Sequence, residues 1–179
     1  MSSTWPVPAA RPVPTRAASP LEADLVGGGI FVLAEEQPER FTLAVCYRGL
    51  PCRICRGYLA QLDREVDELA SLGVAVTAVS GDDAERARRS VSAWHLEHLG
   101  VSYAQSVISM RPWGPFVSQG VKDGEPDPFG EPGAFQVRAD GTIHTLALNS
   151  MPAARPRIQN LVAAIRSFVD NDYPPRGES

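Results

Sequence analysis

The sequence predicts an α/β fold, a mixed sheet with helices on both faces. Three observations predict it. Short apolar, β-prone runs alternate with amphipathic stretches of helical period. Two late β-prone runs flank a tight turn and read as an antiparallel hairpin. A further helical stripe closes the chain.

In order, residues 1–20 carry five prolines among Ala, Ser and Arg and read as a disordered or surface-draped tail. The domain is expected to span residues 21–179. Ile30 to Leu33 reads as a short strand and "EEQPER" as a turn. "FTLAVCYRG" is apolar with little alternation, so a strand buried on both faces. A helix is expected from about Cys52 to Leu72, with Ile54, Tyr58, Leu59, Leu62, Val66 and Leu69 as its stripe and Gly73 as its stop. "VAVTAVS" is a second buried strand. Asp82 or Asp83 caps a helix running to about Leu99, ended by Gly100. "VSYAQSV" is a third strand, and residues 110–133, rich in Pro and Gly, form mostly loop. "AFQVRADGTIHTLALN" is the hairpin, turning at Ala139-Asp140-Gly141, and Arg155 to about Asp170 is the last helix.

The 179 residues suffice for one domain with its own core. A net charge of -4 gives no electrostatic footprint for nucleic acid. All but one of the 17 basic residues are arginine, the exception being Lys122, so no arginine is singled out by its type alone. No run approaches the ~18 apolar residues of a membrane span, and the N-terminus lacks the apolar core of a signal peptide. The expectation is a cytoplasmic protein, without membrane or nucleic-acid partners. Cytosolic thiols are kept reduced, so a cysteine pair there points to redox or metal chemistry rather than to a structural staple.

The three cysteines are Cys46, Cys52 and Cys55. Cys52 falls where a buried strand gives way to a helix, over the free N–H groups and positive end of the helix dipole, which favour thiolate. Arg48, Arg53 and Arg56 could add positive potential. Cys55 lies one turn on, facing the same way and within disulfide reach. Three readings of this Cys-x-x-Cys remain open: a redox pair, half of a zinc site, or two buried thiols. The strand–Cys-x-x-Cys–helix context favours the first. Zinc needs about four ligands, and His95, His98 and His144 lie on other elements. His95 and His98, with Glu97 between them, read as a solvated helix face. No metal or cofactor is expected.

"FTLAVCYRGLPCRICRGYLAQL" resembles the active-site segment of the thioredoxin superfamily, most closely its peroxiredoxin-like branch, the alkyl hydroperoxide reductase and thiol-specific antioxidant group. "VTAVSGDDAERA", "RPWGPFVSQGV", "EPGAFQVRADGTIH", "NSMPAARPRIQNL" and "DYPPRGE" extend the resemblance over roughly residues 25–178. It implies a thioredoxin-like fold, with Cys52 as the nucleophile and Cys55 as the resolving partner in a disulfide. It also implies a hydroperoxide or disulfide substrate and an external dithiol reductant such as a thioredoxin-like protein. A homodimer is left open as the assembly.

Two positions depart from the branch. It places a Thr three residues before the nucleophile and a Pro seven before; here these are Gly49 and Val45. Cys46 stands where thioredoxin carries a buried acid and reads as core. Around the pair, the resemblance implies a cis bond at Glu131-Pro132, with Pro132 packed on the cysteines. Glu131 would then come near the sulfurs, where a carboxylate opposes thiolate but can shuttle a proton. Arg48 and Gly49 border the cysteines in sequence, and Trp113 could line a pocket beside the thiol or simply pack. Arg111 could lend it positive charge. The implied activity is reduction of hydroperoxides by a thiol-based antioxidant enzyme. The alternatives are a thiol–disulfide oxidoreductase acting on protein disulfides and a non-catalytic thioredoxin-like binding module.

Overall fold

The computed structural model describes residues 11–177. The strands are β1 (Glu22–Leu25), β2 (Ile30–Val32), β3 (Phe41–Cys46), β4 (Val74–Val79), β5 (Gly100–Tyr103), β6 (Val117–Ser118), β7 (Phe129–Gly130), β8 (Gly133–Arg138) and β9 (Ile143–Leu148). The helices are α1 (Arg53–Arg64), α2 (Val66–Ser71), α3 (Ala84–Trp94), α4 (Val107–Met110) and α5 (Ile158–Asp170). Seven strands form one mixed sheet in the order β2-β1-β5-β4-β3-β8-β9. β3, β4 and β5 run parallel; β8 and β9 are antiparallel on one side, β1 and β2 on the other. β6 and β7 pair separately.

Every residue of β3 is buried, which accounts for a strand without polar alternation. Its side chains divide by pleat. Phe41, Leu43 and Val45 join Leu59 and Leu62 of α1, Leu69 of α2, Trp94 of α3, and Ile158, Val162 and Ile165 of α5 in one core layer. Ala44 and Cys46 join Leu21, Phe31, Trp113 and Phe135 in the other. Successive right-handed crossovers β3–α1–β4 and β4–α3–β5 put both helices on one face. The return from β5 to β8 crosses the opposite face, where Trp113, in the helical turn after α4, packs edge-on to Phe135 at 4.9 Å.

Several boundaries differ from the sequence expectation. The long first helix is two, broken at Glu65 (φ -99°, ψ 0°), although the apolar stripe continues across the break. The next helix stops at Trp94, with His95 left-handed (φ 55°) as its cap; His98 lies beyond it, and Gly100 opens β5 instead. Both histidines are exposed. The Asp63 carboxylate accepts from the His98 and Leu99 N–H groups at 2.9 and 2.8 Å, tying the end of α1 to this turn. β1 was not expected, its "EADL" being polar on alternate residues as suits a strand with one solvated face. Of the Pro-rich tail, residues 1–10 lie outside the described residues. Residues 11–20 are laid against the sheet: the Ile143 N–H donates to the Arg16 carbonyl, and the Trp113 Nε1–H to that of Pro20.

At the far end of β3 from the cysteines, His144 is buried with its ring 4.8 Å from Phe41 and 5.0 Å from Phe168. Burial, helped by the Arg138 charge, lowers its pKa, so the folded protein holds it neutral. The unfolded chain binds a proton below about pH 6.5, which the folded one resists. Stability contributed by the neutral ring is therefore full above about pH 6.5 and falls as pH drops below it. A His144→Phe variant is expected to lose this acid-side decline, read as urea midpoints at pH 7.5 and 5.5; an unchanged pH dependence would remove His144 from the account.

Candidate active site

The site is built on the loop from β3 to α1. β3 ends on the hydrogen bond from the Tyr47 N–H to the Val79 carbonyl, 3.0 Å, and the chain then turns at Gly49. Gly49 has φ +104°, open to glycine, and a Cβ there would sit 2.8 Å from the Asp82 carboxyl carbon. Asp82 lies beneath the loop with its side chain wholly buried. Its Oδ2 accepts the Leu50 N–H at 2.8 Å, and its Oδ1 accepts from Arg86 Nε at 3.2 Å. Burial raises its pKa, against the lowering effect of the Leu50 N–H and of Arg86. Asp83, not Asp82, caps α3 through the Arg86 N–H at 2.8 Å. Asp82 is thus free to hold the cysteine loop.

The Cys52 N–H closes the turn onto the Gly49 carbonyl at 3.1 Å, and Cys52 is the N-cap of α1. Its Sγ accepts the Cys55 N–H at 3.2 Å, one of the donors a helix start leaves free. Cys52 and Cys55 form a disulfide, with Cα atoms 5.2 Å apart. Cys52 is half-buried, whereas Cys55 is fully covered. An attacking reagent therefore meets Cys52 first.

Over the pair stands Arg155, from the segment leading into α5. Its Nη2 is 3.0 Å from Cys55 Sγ and 3.9 Å from Cys52 Sγ. Nε donates to the Pro152 carbonyl at 2.8 Å, and the guanidinium lies over the Tyr58 ring, 5.2 Å from its centre. The cation is held from two sides, with its fork on the sulfurs. Burial pushes the Tyr58 hydroxyl up to about 12, the Arg155 charge opposing. Sequence reasoning did not select Arg155, in a chain where arginine is nearly the sole cation. The one local signal is its setting between Pro152 and Pro156, which restrict the backbone on either side.

Arg48 and Glu131 form the next layer. Arg48 Nη2 meets Glu125 Oε1 at 3.0 Å, and Nε lies 3.6 Å from Glu131 Oε2. The Arg48 guanidinium is over the Phe129 ring, 4.6 Å from its centre. The Ser118 hydroxyl donates to Glu131 Oε1 at 2.7 Å, and Glu131 Oε2 is buried without a hydrogen-bond donor. Glu131 and Arg48 both act through space on the Arg155 charge. Arg53 and Arg56 point to solvent.

Three expectations are corrected. The Glu131-Pro132 bond is trans; the cis bond among the described residues is Asp127-Pro128. The Glu131 N–H donates to the Phe116 carbonyl at 2.7 Å, which fixes the chain just before Pro132. Pro132 is still near the site, lining a small cleft with Tyr58 and Arg155. Trp113 does not line the thiol. It is buried on the opposite face of the sheet, with Cys46. Arg111 is exposed and makes no contact with the sulfurs, whose cation is Arg155. Cys46 is free and buried, and burial pushes its thiol up to about 12. Among the described residues no cluster of three or more His, Cys, Asp or Glu could hold a metal ion, and no helix is long and apolar enough to cross a membrane.

No protein-family model and no curated protein matches the sequence. Solved structures do. A peroxiredoxin-like protein from Aquifex aeolicus superposes with TM-score 0.70 at 15% identity, over 87% of this chain and 86% of that one. Peroxidoxin BcpB from Mycobacterium tuberculosis gives 0.71 at 11%, over 88% and 98%. Reduced Prx3 from Vibrio vulnificus, solved in complex with hydrogen peroxide, gives 0.71 at 14%, over 85% and 97%. The sheet order, the helices on both faces and these superpositions agree that the chain has the thioredoxin-like α/β fold of the peroxiredoxins.

Proposed function

We propose that this protein is a thiol-based oxidoreductase that reduces hydroperoxides in the cytoplasm, with Cys52 as nucleophile and Cys55 as resolving thiol. The observation that carries the reading is the Cys52–Cys55 disulfide at the start of α1 beneath the Arg155 guanidinium. The Cys55 N–H and Arg155 both stabilise negative charge on sulfur. Cys52 thiolate attacks the O–O bond; sulfur gains one oxygen, and the other leaves as alkoxide or hydroxide and takes up a proton. Cys55 sulfur then attacks the Cys52 sulfenic acid, forming the S–S bond and releasing water. An external dithiol, itself oxidised to a disulfide, returns both thiols. Glu131, hydrogen-bonded by Ser118 and beside Arg48, would carry the proton in this reading.

Likeness to peroxiredoxins, one of them solved with hydrogen peroxide, supports a peroxide as oxidant. The test is stopped-flow loss of thiol on mixing reduced protein with hydrogen peroxide. Cys52 is expected to react at least about a hundredfold faster than free cysteine, which exposes a few per cent thiolate at pH 7. A rate equal to free cysteine would refute the peroxidase reading.

One observation favours a second reading. At Gly49 there is no hydroxyl, and Asp82 leaves no room for one, so a peroxide lacks that support. Cys52 would then attack sulfur, as a disulfide oxidoreductase does. A Cys55→Ser variant, unable to resolve the mixed disulfide, would trap partner proteins through Cys52. An empty trap beside brisk peroxide turnover excludes this reading.

A further inference from the structure

The disulfide has one reachable sulfur. Cys52 is half-buried, whereas Cys55 is fully covered, in the core layer with Leu59, Leu62 and Ile158. A thiol that opens the bond must attack Cys52 Sγ, so the sulfur expelled is Cys55. Expulsion puts a negative charge on an atom out of reach of water, which is costly without a counter-charge. Cys46 shows how far burial alone acts on a thiol in this fold, pushing it up to about 12. A thiol held that high is a slow leaving group, because exchange slows as the pKa of the departing sulfur rises.

Arg155 is placed to remove this obstacle. Its Nη2 lies nearer the sulfur that leaves, 3.0 Å from Cys55 Sγ against 3.9 Å from Cys52 Sγ. Its Nη1 is buried without an acceptor, and among the described residues no carboxylate forms an ion pair with it. Burial lowers the pKa of the guanidinium itself. The disulfide is neutral, so a half-buried cation with an unused donor stands beside two uncharged sulfurs. The anion that suits it is the one made when the S–S bond breaks.

We propose, on the reading of Cys52 and Cys55 as the working pair, that Arg155 is a catalytic residue of the reductive step and stabilises Cys55 as the leaving thiolate. A thiolate of the external dithiol attacks Cys52 Sγ; the Cys52–Cys55 bond breaks and its electron pair goes to Cys55 Sγ, beside the guanidinium. The second thiol of the dithiol, deprotonated, attacks the sulfur bound to Cys52, and Cys52 leaves as thiolate. Two electrons have passed to the pair, the dithiol departs as a disulfide, and its two protons end on the cysteines or in solvent. The same contact readies Cys55 for the oxidative half, where thiolate is the form that attacks the Cys52 sulfenic acid.

The test titrates each thiol alone by its thiolate ultraviolet absorbance, Cys55 in Cys52→Ser protein and Cys52 in Cys55→Ser protein, each with Arg155 and with Arg155→Met. Cys46, at about 12, does not contribute below about pH 10. Loss of the guanidinium is expected to raise Cys55 by about 2–3 pH units and Cys52 by less, since Cys55 is nearer and more deeply buried. Reduction of the native disulfide by dithiothreitol is expected to slow at least about tenfold in Arg155→Met, with Arg155→Lys recovering part of the rate. A Cys55 that shifts no further than Cys52, or a rate of reduction that does not change, overturns the proposal. Should Arg155→Met fail to fold, the Cys52→Ser titration decides: a Cys55 that stays protonated up to about pH 10, as Cys46 does, overturns it. No arm uses a peroxide, so a slow reaction with hydrogen peroxide would refute the peroxidase reading and leave this step standing.

Discussion

Replacing Arg155 by methionine is expected to move the pH profile for alkylation of reduced Cys52 toward alkaline pH by about 1–2 pH units. Peroxide reduction at pH 7 should then slow by about ten- to a hundredfold. Among the described residues the guanidinium is the one side-chain cation in contact with the pair, 3.0 Å from Cys55 Sγ and 3.9 Å from Cys52 Sγ. A positive charge this close favours thiolate, and at a half-buried site it is weakly screened. The helix start, still present in the variant, keeps part of the effect through the Cys55 N–H. Methionine keeps much of the bulk over Tyr58, so a change in the alkylation profile reports charge rather than collapse. Arg155→Lys separates charge from geometry. Lysine restores the cation but not the fork that binds the Pro152 carbonyl and both sulfurs, so recovery is expected to be partial. An alkylation profile unmoved by either substitution would show that the helix start alone sets the thiolate.

The second large effect falls on stability. Gly49→Ala is expected to destabilise the fold by about 2–5 kcal/mol, read from the urea midpoint. A side chain at a positive φ costs about 1–2 kcal/mol, and forcing a methyl into a filled space about 1–3 kcal/mol. The space is filled by the Asp82 carboxylate, which cannot step aside without leaving the Leu50 N–H and Arg86 without their acceptor. Gly49→Thr, which puts back the hydroxyl that the peroxiredoxin resemblance expects there, should therefore lose stability rather than gain peroxidase activity. A stable Gly49→Thr protein with faster peroxide reduction would contradict the Asp82 account. Asp82→Ala should ease the contact in a Gly49→Ala background but not the backbone strain, so the pair is expected to be non-additive.

What the sequence made legible follows from where hydrophobic pattern decides structure. β3 and β4 are apolar runs with one reading, and the β8–β9 hairpin has its turn written at Asp140-Gly141. Cys52 and Cys55 were placed by the strand–helix boundary, and the structure puts them there. Elements set by polar contacts were less legible. The break at Glu65 falls within a continuous stripe, and β1 alternates over only four residues. Asp82 and Asp83 are adjacent acids with equal claim to the cap; only the Leu50 N–H, 32 positions away, separates their roles. Arg155 reaches the cysteines across 100 residues, a contact no local pattern announces. The cis bond expected at Pro132 lies instead at Pro128; each of these prolines follows an acid, so the local sequence does not separate them.

Three cysteines allow three different pairings. The sheet permits one. Cys46 and Cys52 are six residues apart, yet Cys46 faces the layer with Trp113 and Phe135, while the pair belongs to the layer of α1. A chain folding under oxidising stress thus has one bridge compatible with its native core, and a bond from Cys46 to Cys52 would require turning β3 over. The pleat of a single strand acts as proofreading for disulfide chemistry.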